Sequence, residues 1–222
     1  MPFSPAALEE LKTVLYTAVL SDVLDSLGFT RQAMRPFVRP LDDNSILCGR
    51  ARTGLFSPVY AVSESENPYE LEIALLDDLR PGDVAVFACN GPTDRIAPWG
   101  ELLTTAAMQR QAAGCVTDGL VRDVRHIRKQ GFPLFHGGIG PLDSRGRGKM
   151  TAMDTPVECA GAPVVTGDLV FGDVDGVVII PARMEQQVIE IALEKVKGEN
   201  STRDELLRGA YLRDVYAKYG IL

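Results

Sequence analysis

The sequence predicts an α/β fold, and three patterns in its 222 residues support that prediction. Apolar residues recur at helical spacing over residues 5–28 and again over residues 182–197. The stretch from residue 99 to residue 140 alternates between helix-like and strand-like segments. Gly-Asp turns lead into apolar strands at residues 81–87 and 166–173. Short strands that begin in this way are typical of a compact, β-rich core flanked by helices.

The first half of the chain contains two predicted helices and a strand. The helix at residues 5–28 is expected to end at Gly28, because glycine suits the C-terminal stop of a helix. An irregular stretch with two prolines follows, and residues 46–56 then alternate as a strand does. Residues 68–79 have the pattern of a short amphipathic helix, which Pro81-Gly82 ends.

The C-terminal part is predicted to be a hairpin followed by helices. Asp175-Gly176 is a hairpin turn signal, and an apolar return strand follows it. Gly198 is expected to interrupt the next helix, and Ser201 to begin another. We therefore divide the chain into one catalytic domain, residues 1–200, and a helical tail, residues 201–222. The tail has little to pack on alone, so it is expected to dock on a neighbouring subunit; a frayed, solvated tail is the alternative.

Composition excludes several classes of protein. The chain has 23 basic and 30 acidic residues, a net charge of −7, which argues against a nucleic-acid partner. The N-terminus carries Glu9 and Glu10 without a basic leader, so no secretory signal is predicted. The sequence lacks an apolar run of about 18 residues, so we expect no membrane partner and a cytoplasmic location. The cysteines are scattered singly and are expected to be small buried residues rather than zinc ligands: Cys48, Cys89, Cys115 and Cys159.

The spacing between Glu101 and the pair Arg122-Asp123 predicts that they meet. A helix from residue 101 to residue 113 rises about 20 Å, and a strand from residue 115 to residue 121 returns about 23 Å. The Arg-Asp pair is thereby brought back to the level of Glu101. A guanidinium and two carboxylates are expected to cluster there as the catalytic groups.

The start of that helix adds an anion site. The first N–H groups of a helix have no partner within the helix, and they point beyond its end. The amides of Leu102 and Leu103, after Gly100, could hold a carboxylate, and Arg122 could supply the matching positive charge. Each residue also has an ordinary structural interpretation. Asp123 could cap the next helix, Glu101 could simply occupy a first helical turn, and Arg122-Asp123 could be a surface ion pair.

Three segments resemble the RraA-like family, which includes the class II 4-hydroxy-4-methyl-2-oxoglutarate aldolases. The most specific match is an acidic residue, twenty residues and then Arg-Asp, which is Glu101, Arg122 and Asp123 here. Residues 21–28 and residues 165–181 are similar to the family's first helix and late strand pair. The matching segments are Trp-Gly-Glu-Leu-Leu at 99–103, Val-Thr-Asp-Gly-Leu-Val-Arg-Asp at 116–123 and Gly-Phe-Pro-Leu-Phe at 131–135.

The resemblance implies an α/β/β/α sandwich related to swivelling domains, assembled as a homotrimer or a dimer of trimers. It implies that Asp123 binds Mg²⁺ or Mn²⁺, that Arg122 binds the keto oxygen of a small 2-oxo acid, and that Glu101 holds a catalytic water. The amides that follow Gly100 would bind the substrate carboxylate. An acidic residue of the neighbouring subunit completes such sites, and Glu194 and Glu199 are the candidates.

The activity that follows is metal-dependent retro-aldol cleavage of a 4-hydroxy-2-oxo acid to pyruvate. Decarboxylation of oxaloacetate is expected as well, because it passes through the same enolate. One departure from the family pattern is His126, which stands where an acidic residue is common three positions after the Asp. His126 could be a surface residue, and His136, at a strand end, could face the cleft or be structural.

Two other functions compete with this one. Some RraA relatives inhibit a ribonuclease through protein–protein contact, and the acidic charge of the chain suits such a role. A methyltransferase would need a nucleotide-binding loop. Gly137-Gly138-Ile139-Gly140 is only a weak match, and residues 146–150 lack the upstream Gly and the Ser or Thr of a phosphate loop. A surface loop is the preferred interpretation of residues 146–150.

Overall fold

The computed structural model of the chain describes residues 3–63 and 65–220. Its helices are α1 Pro5–Leu11, α2 Thr17–Ser26, α3 Glu70–Asp77, α4 Glu101–Gln109, α5 Val124–Gln130, α6 Glu185–Leu207 and α7 Leu212–Tyr219. The strands are β1 Arg39–Pro40, β2 Leu47–Pro58, β3 Asp83–Ala88, β4 Gly114–Val121, β5 Leu134–Ile139, β6 Gly148–Met153, β7 Val157–Cys159, β8 Ala162–Val164, β9 Leu169–Asp173 and β10 Gly176–Ile180.

Eight strands form one strongly curved sheet in the order β1-β5-β4-β3-β2-β9-β10, and β6 also pairs with β2. Strands β2, β3, β4 and β5 are parallel neighbours, and α3, α4 and α5 make the crossovers that parallel strands require. The two ends of the sheet approach each other. Ala33 bridges Val178 on β10, and the Arg39 guanidinium on β1 donates to the carbonyl of Asp175 at 2.6 Å.

Three apolar clusters define the layers of the molecule. The first lies inside the curved sheet and includes Val86, Phe135 and Ile179. The second packs α3, α4 and α5 on the parallel strands, and the third packs α1, α2 and α6 on β9 and β10. The order of layers is therefore helices, strands, strands, helices, so the predicted α/β/β/α sandwich is confirmed.

The single helix predicted for residues 5–28 is wrong, because the structure has two helices there. Tyr16 is extended, with φ −147° and ψ 159°, and α2 begins after it. The carboxylate of Asp173, at the end of β9, accepts from the Thr17 amide at 2.8 Å and from its hydroxyl at 2.6 Å. A group distant in sequence therefore satisfies the start of α2, and the continuous apolar spacing hides this break.

The break predicted at Gly198 is also wrong, because α6 runs from residue 185 to residue 207 without interruption. The predicted division between domain and tail at residue 200 thus falls within a helix. Helix α7 turns back on α6: Lys218 and Tyr219 both donate to the Glu205 carboxylate, at 2.6 and 2.7 Å. The helix predicted for residues 101–113 is shorter than expected and ends at Gln109.

All four cysteines are buried and unpaired, as predicted. Burial raises the pKa of the Cys48 thiol to about 12, so this thiol stays protonated at neutral pH. Within residues 3–63 and 65–220, no helix combines the length and the apolar composition needed to cross a membrane.

Candidate active site

The start of α4 and the end of β4 meet through backbone pairing. Trp99 forms a parallel bridge with Val121, and the Arg122 amide donates to the Trp99 carbonyl at 3.0 Å. The buried Trp99 indole N–H donates to the Thr104 hydroxyl at 2.8 Å, which fixes the first turn of α4. The Glu101 amide lies 3.3 Å from Oδ2 of Asp123. The structure therefore brings the two backbone segments together at the level that the spacing predicts.

Asp123 adopts a left-handed backbone conformation, with φ 59° and ψ 25°, at the residue before α5. Its side chain makes no capping hydrogen bond to α5, so the simple N-cap interpretation does not hold. The carboxylate instead turns to the first amide of α4. Gly100 makes room for it, since a Cβ atom on Gly100 would lie only 2.8 Å from Oδ2 of Asp123. The backbone at both positions is arranged around this carboxylate.

Arg122 lies between two carboxylates. Its Nε is 3.7 Å from Oδ2 of Asp123, and its Nη1 is 3.6 Å from Oδ2 of Asp143. Both distances exceed those of a direct hydrogen bond, and the side chain is 37% exposed. The guanidinium is thus oriented by its neighbours yet keeps donors for an anionic ligand.

The carboxylate of Glu101 faces away from this pair. Its Oε1 accepts from the Thr105 hydroxyl at 2.9 Å and from the Gln130 amide at 3.4 Å. The backbone of Glu101 belongs to the site, whereas its side chain is engaged within α4 and with α5. The role predicted for it, holding a catalytic water, remains a prediction.

A cleft of about 320 Å³ opens beside these groups. Leu102 and Leu103 line it at the start of α4, where the first helical amides have no partner within the helix. The cleft thus combines apolar walls, one guanidinium, the positive end of a helix and several carboxyl groups. Its lining comprises Tyr69, Glu72, Ile73, Ala97, Pro98, Trp99, Gly100, Leu102, Leu103, Arg122, Asp123, Asp143 and Ser144.

The sequence analysis missed Glu72, a buried carboxyl group in the wall of the cleft. The residue is only 5% exposed, and its Oε2 has no hydrogen-bond partner among the described residues. Burial raises the pKa of Glu72 to about 8; the negative charge of Asp143 adds to that shift, and Arg122 opposes it. The helical spacing contained a signal, because position 72 shares the inward face of α3 with Leu75 and Leu76.

Tyr69 and Asp143 were also missed, and they form a hydrogen-bonded pair in the lining of the cleft. The Tyr69 hydroxyl donates to both oxygens of Asp143, at 3.0 and 2.9 Å. Burial opposes ionisation of Asp143, but hydrogen bonds from the Arg145 amide and from Tyr69, together with Arg122, lower its pKa. Asp143 is therefore an ionised neighbour of Arg122. It lies in a loop with no distinctive spacing, so the sequence gives no signal for it.

Comparison with known proteins places these features in a family. The family model RraA-like, described as Aldolase/RraA, matches residues 17–179. The chain belongs to the RraA-like family. A protein of Halalkalibacterium halodurans, provisionally named a 4-hydroxy-4-methyl-2-oxoglutarate aldolase, is 33% identical over 179 residues, covering 81% of this chain and 79% of the relative.

Solved structures agree with this RraA-like assignment. Streptomyces coelicolor RraAS2, described as an unusual member of the RNase ES inhibitor RraA family, has a TM-score of 0.82 at 28% identity. That match covers 92% of this chain and all of the other. An uncharacterized protein of Pseudomonas syringae has a TM-score of 0.81 at 26% identity, over 97% of this chain and 98% of the other.

The donor set of this RraA-like site suits a hard cation held mostly by water. Across the described residues, no group of three or more His, Cys, Asp or Glu side chains could enclose a metal. Asp123 is a single carboxylate, 47% exposed, and its contacts with Arg122 and with the Glu101 amide both use Oδ2. Its Oδ1 is thus available as a ligand. One protein carboxylate with water and substrate oxygens is a normal arrangement for Mg²⁺.

The remaining candidates of the sequence analysis lie outside the cleft of their own chain. His126 is exposed on α5, and His136 lies in β5, where burial lowers its pKa. Glu194 is exposed on α6, whereas the Glu199 carboxylate accepts from the Tyr16 hydroxyl of the same chain. Residues 137–139 belong to strand β5, so they are not a nucleotide-binding loop.

Proposed function

We propose that this RraA-like protein is a carbon–carbon lyase that cleaves a 4-hydroxy-2-oxo acid, of the 4-hydroxy-4-methyl-2-oxoglutarate type, and releases pyruvate. The observation that carries the proposal is the convergence of Arg122, Asp123 and the start of α4 on one cleft. Relatives named as aldolases support it, among them the protein of Halalkalibacterium halodurans.

The substrate would be held by its 2-oxo acid end. The free amides of Leu102 and Leu103 suit the C1 carboxylate, since the positive end of α4 favours an anion. Arg122 would donate to the C2 oxygen. Asp123 would hold the divalent metal, Mg²⁺ or Mn²⁺, which when bound supplies Lewis-acid polarisation of the 2-oxo group.

The charge that develops in the reaction explains why these groups are needed. Breaking the C3–C4 bond leaves its electron pair on the pyruvate fragment as an enolate. Arg122 stabilises the negative oxygen of that enolate, and stabilisation of developing charge is commonly the largest contribution to catalysis. Decarboxylation of oxaloacetate yields the same enolate, so we expect it as a second activity of the same site.

A lactate-dehydrogenase-coupled assay tests this proposal. Wild-type protein should release pyruvate from 4-hydroxy-2-oxo acids and from oxaloacetate with Mg²⁺ or Mn²⁺, and EDTA should abolish the release. Arg122→Ala should lower kcat by about 100-fold or more, as the loss of one charge-stabilising donor typically does. Arg125→Ala is the matched control, because Arg125 is exposed on α5 and should leave the rate unchanged. Full activity of the Arg122→Ala variant would overturn the proposal.

A second candidate is regulation of a ribonuclease by protein–protein contact. The likeness to Streptomyces coelicolor RraAS2 and the net charge of −7 favour it. Such binding would be insensitive to EDTA and to Arg122→Ala, whereas pyruvate release would be lost in both cases. A pull-down with a ribonuclease alongside the coupled assay therefore separates the two functions.

We further propose a homo-oligomer, a trimer or a dimer of trimers, in the cytoplasm. Exposed apolar side chains at the junction of α6 and α7 support a partner subunit there, since monomers seldom expose such patches. Glu194 and Glu199, both on α6, are the residues proposed to reach a neighbouring site. The exposed apolar residues of this junction are Leu207, Tyr211, Leu212 and Tyr216.

A further inference from the structure

We propose that Glu72 is a further catalytic residue, the acid that delivers a proton to C3 of the pyruvate enolate. The inference rests on the proposed lyase function and adds the proton donor, which neither Arg122 nor Asp123 supplies. An arginine does not give up its proton in proteins, and a metal-binding carboxylate is ionised.

The position of Glu72 is that of a reactive group rather than a structural one. Helix α3 directs this side chain inward, and it lines the cleft that also contains Arg122 and Asp123. It is 95% buried, yet its Oε2 lacks a hydrogen-bond partner in the part of the chain described here. A buried polar atom without a partner destabilises a fold, so its retention in a cleft points to a ligand or a reaction.

Burial, more than the surrounding charges, keeps Glu72 protonated in the absence of substrate. Asp143 and Arg122 face it from the loop after β5 and from the end of β4, with opposite effects on its pKa. Tyr69 immediately precedes α3. The thiol of Cys89, after β3, stays neutral because burial raises its pKa. Burial of Glu72 itself is the largest effect and raises its pKa to about 8.

The other carboxylates are less suited to donate a proton. Asp143 accepts hydrogen bonds from Tyr69 and from the Arg145 amide, and these lower its pKa. Glu101 is engaged with Thr105 and Gln130 outside the cleft. Glu72 is the carboxyl group of the described cleft that combines burial with a free oxygen.

The proton balance of both reactions is closed by one carboxyl group. In the retro-aldol reaction, Glu72 first releases its proton to solvent. The ionised carboxylate then accepts the proton of the C4 hydroxyl, whose oxygen becomes a carbonyl as the electron pair of the C3–C4 bond moves into the enolate. Protonated Glu72 then gives that proton to C3, and the enolate becomes pyruvate. In decarboxylation, CO₂ leaves, Glu72 protonates C3, and solvent returns a proton to Glu72.

Proton exchange of pyruvate itself isolates this step. In D₂O with Mg²⁺, wild-type protein should replace the methyl protons of pyruvate with deuterium, which ¹H NMR follows as loss of the methyl signal. Glu72→Gln should slow the exchange about 100-fold, a typical contribution of general acid–base catalysis. Glu70→Gln is the matched control, because Glu70 is exposed on the same helix and should exchange pyruvate at the wild-type rate.

A pH profile separates catalysis from a structural role. The exchange rate of the wild type should rise with pH as Glu72 ionises. Glu72→Asp should retain partial activity, and the rising limb of its rate against pH should lie at a different pH. Glu72→Gln should lack that limb. The inference would be overturned if Glu72→Gln exchanged pyruvate at the wild-type rate. It would also be overturned if the rising part of the pH profile lay at the same pH in Glu72→Asp as in the wild type.

Stability supplies the check on folding. Folding raises the pKa of Glu72 from 4.5 to about 8. The protonated carboxyl group therefore contributes its full stabilisation below pH 4.5, and this contribution is lost as the pH rises through about 8. Glu72→Gln does not titrate, so its melting temperature should be equal to or above that of the wild type across this interval. Wild-type protein that neither releases pyruvate nor exchanges it would refute the lyase function, whereas active wild type with an equally active Glu72→Gln would refute only the role of Glu72.

Discussion

Asp123 combines an uncommon backbone conformation with a position in the candidate site. Its φ of 59° is uncommon for residues other than glycine, and Asp and Asn tolerate it better than most. This conformation turns the carboxylate to the start of α4, where it accepts from the Glu101 amide. An aspartate there places a carboxylate in the cleft with modest backbone strain.

Substitutions at Asp123 should therefore separate stability from activity. Asp123→Asn keeps a side chain that tolerates the left-handed conformation, so its free energy of unfolding should stay within about 0.5 kcal/mol of the wild type. Asp123→Ala should lose about 1–2 kcal/mol, because alanine pays the conformational penalty. Both variants should lose metal-dependent pyruvate release. Urea unfolding and the coupled assay measure the two effects, and an active Asp123→Asn variant would refute metal binding by this carboxylate.

The residues of the site differ in how far the sequence could indicate them. Arg122 and Asp123 follow a strand whose length can be counted, so their approach to Gly100 and Glu101 could be predicted from spacing. The direction of the Glu101 side chain could not, because it depends on Thr105 and on Gln130 of another helix. The position of Asp143 depends on a loop whose path no local pattern determines.

Among the elements, β4 carries a bulge that ties two distant segments to the sheet. The register of β4 against β5 shifts between Thr117 and Leu120. At this shift, the Asp118 carboxylate accepts from the amides of Cys89 at 2.6 Å, Gly91 at 2.9 Å and Ala160 at 3.1 Å. Asp118 thereby anchors the loop after β3, which leads to α4, and the turn between β7 and β8. The register shift at Asp118 is thus a bulge within a continuous strand.

Loss of Asp118 should weaken this part of the molecule severely. Asp118→Ala leaves two buried amides, of Cys89 and Ala160, and the partly buried amide of Gly91 without an acceptor. Each buried amide that loses its partner typically costs about 1–3 kcal/mol. We expect a decrease of about 3 kcal/mol or more in the free energy of unfolding, together with lower activity because the loop leads to Trp99. Urea denaturation measures the change, and Asp43→Ala, at an exposed position, should have almost no effect. A variant with native stability would show that solvent replaces the carboxylate.

Helix boundaries show where element prediction from sequence fails. The apolar spacing of Leu8, Leu11, Leu15 and Val19 is continuous across the gap between α1 and α2, because both helices pack in one apolar cluster. The gap is created by the Asp173 carboxylate from β9, a contact that no local pattern encodes. At Gly198 the sequence predicts a break, but α6 continues through it. A single glycine costs a helix only about 1 kcal/mol, and the packing of α6 outweighs that cost.

At the scale of the whole molecule, the layers could be predicted, but the wall of the cleft could not. Alternating strand-like and helix-like segments indicate the α/β class, and the resemblance to the RraA-like family implied the α/β/β/α order of layers. The cleft instead combines residues from α3, α4, the end of β4 and the loop after β5. Its lining depends on how these elements pack, which explains why Tyr69 and Asp143 escaped the sequence analysis.

The junction of α6 and α7 leads to a prediction about assembly. Leu207 is 80% exposed and Tyr211 70% exposed, although the neighbouring Val215 is buried against α6. Covering these side chains with a second subunit would remove apolar surface from water, worth about 25 cal/mol per Å². The exposed patch predicts association, and the resemblance to the RraA-like family predicts the number of subunits. The purified protein should be a trimer or a hexamer by size-exclusion chromatography with light scattering.

The double variant Leu207→Glu with Tyr211→Glu should shift that assembly towards smaller species. The charged side chains would be buried in the interface without partners, which disfavours association. Arg208→Glu, at an exposed position between the two, is the charge-matched control and should leave the assembly intact. If a neighbouring α6 completes the cleft, pyruvate release should fall in parallel with oligomer size as the double variant is diluted. A fully active monomer would show instead that each chain carries a complete site, and would remove Glu194 and Glu199 from consideration as contributors.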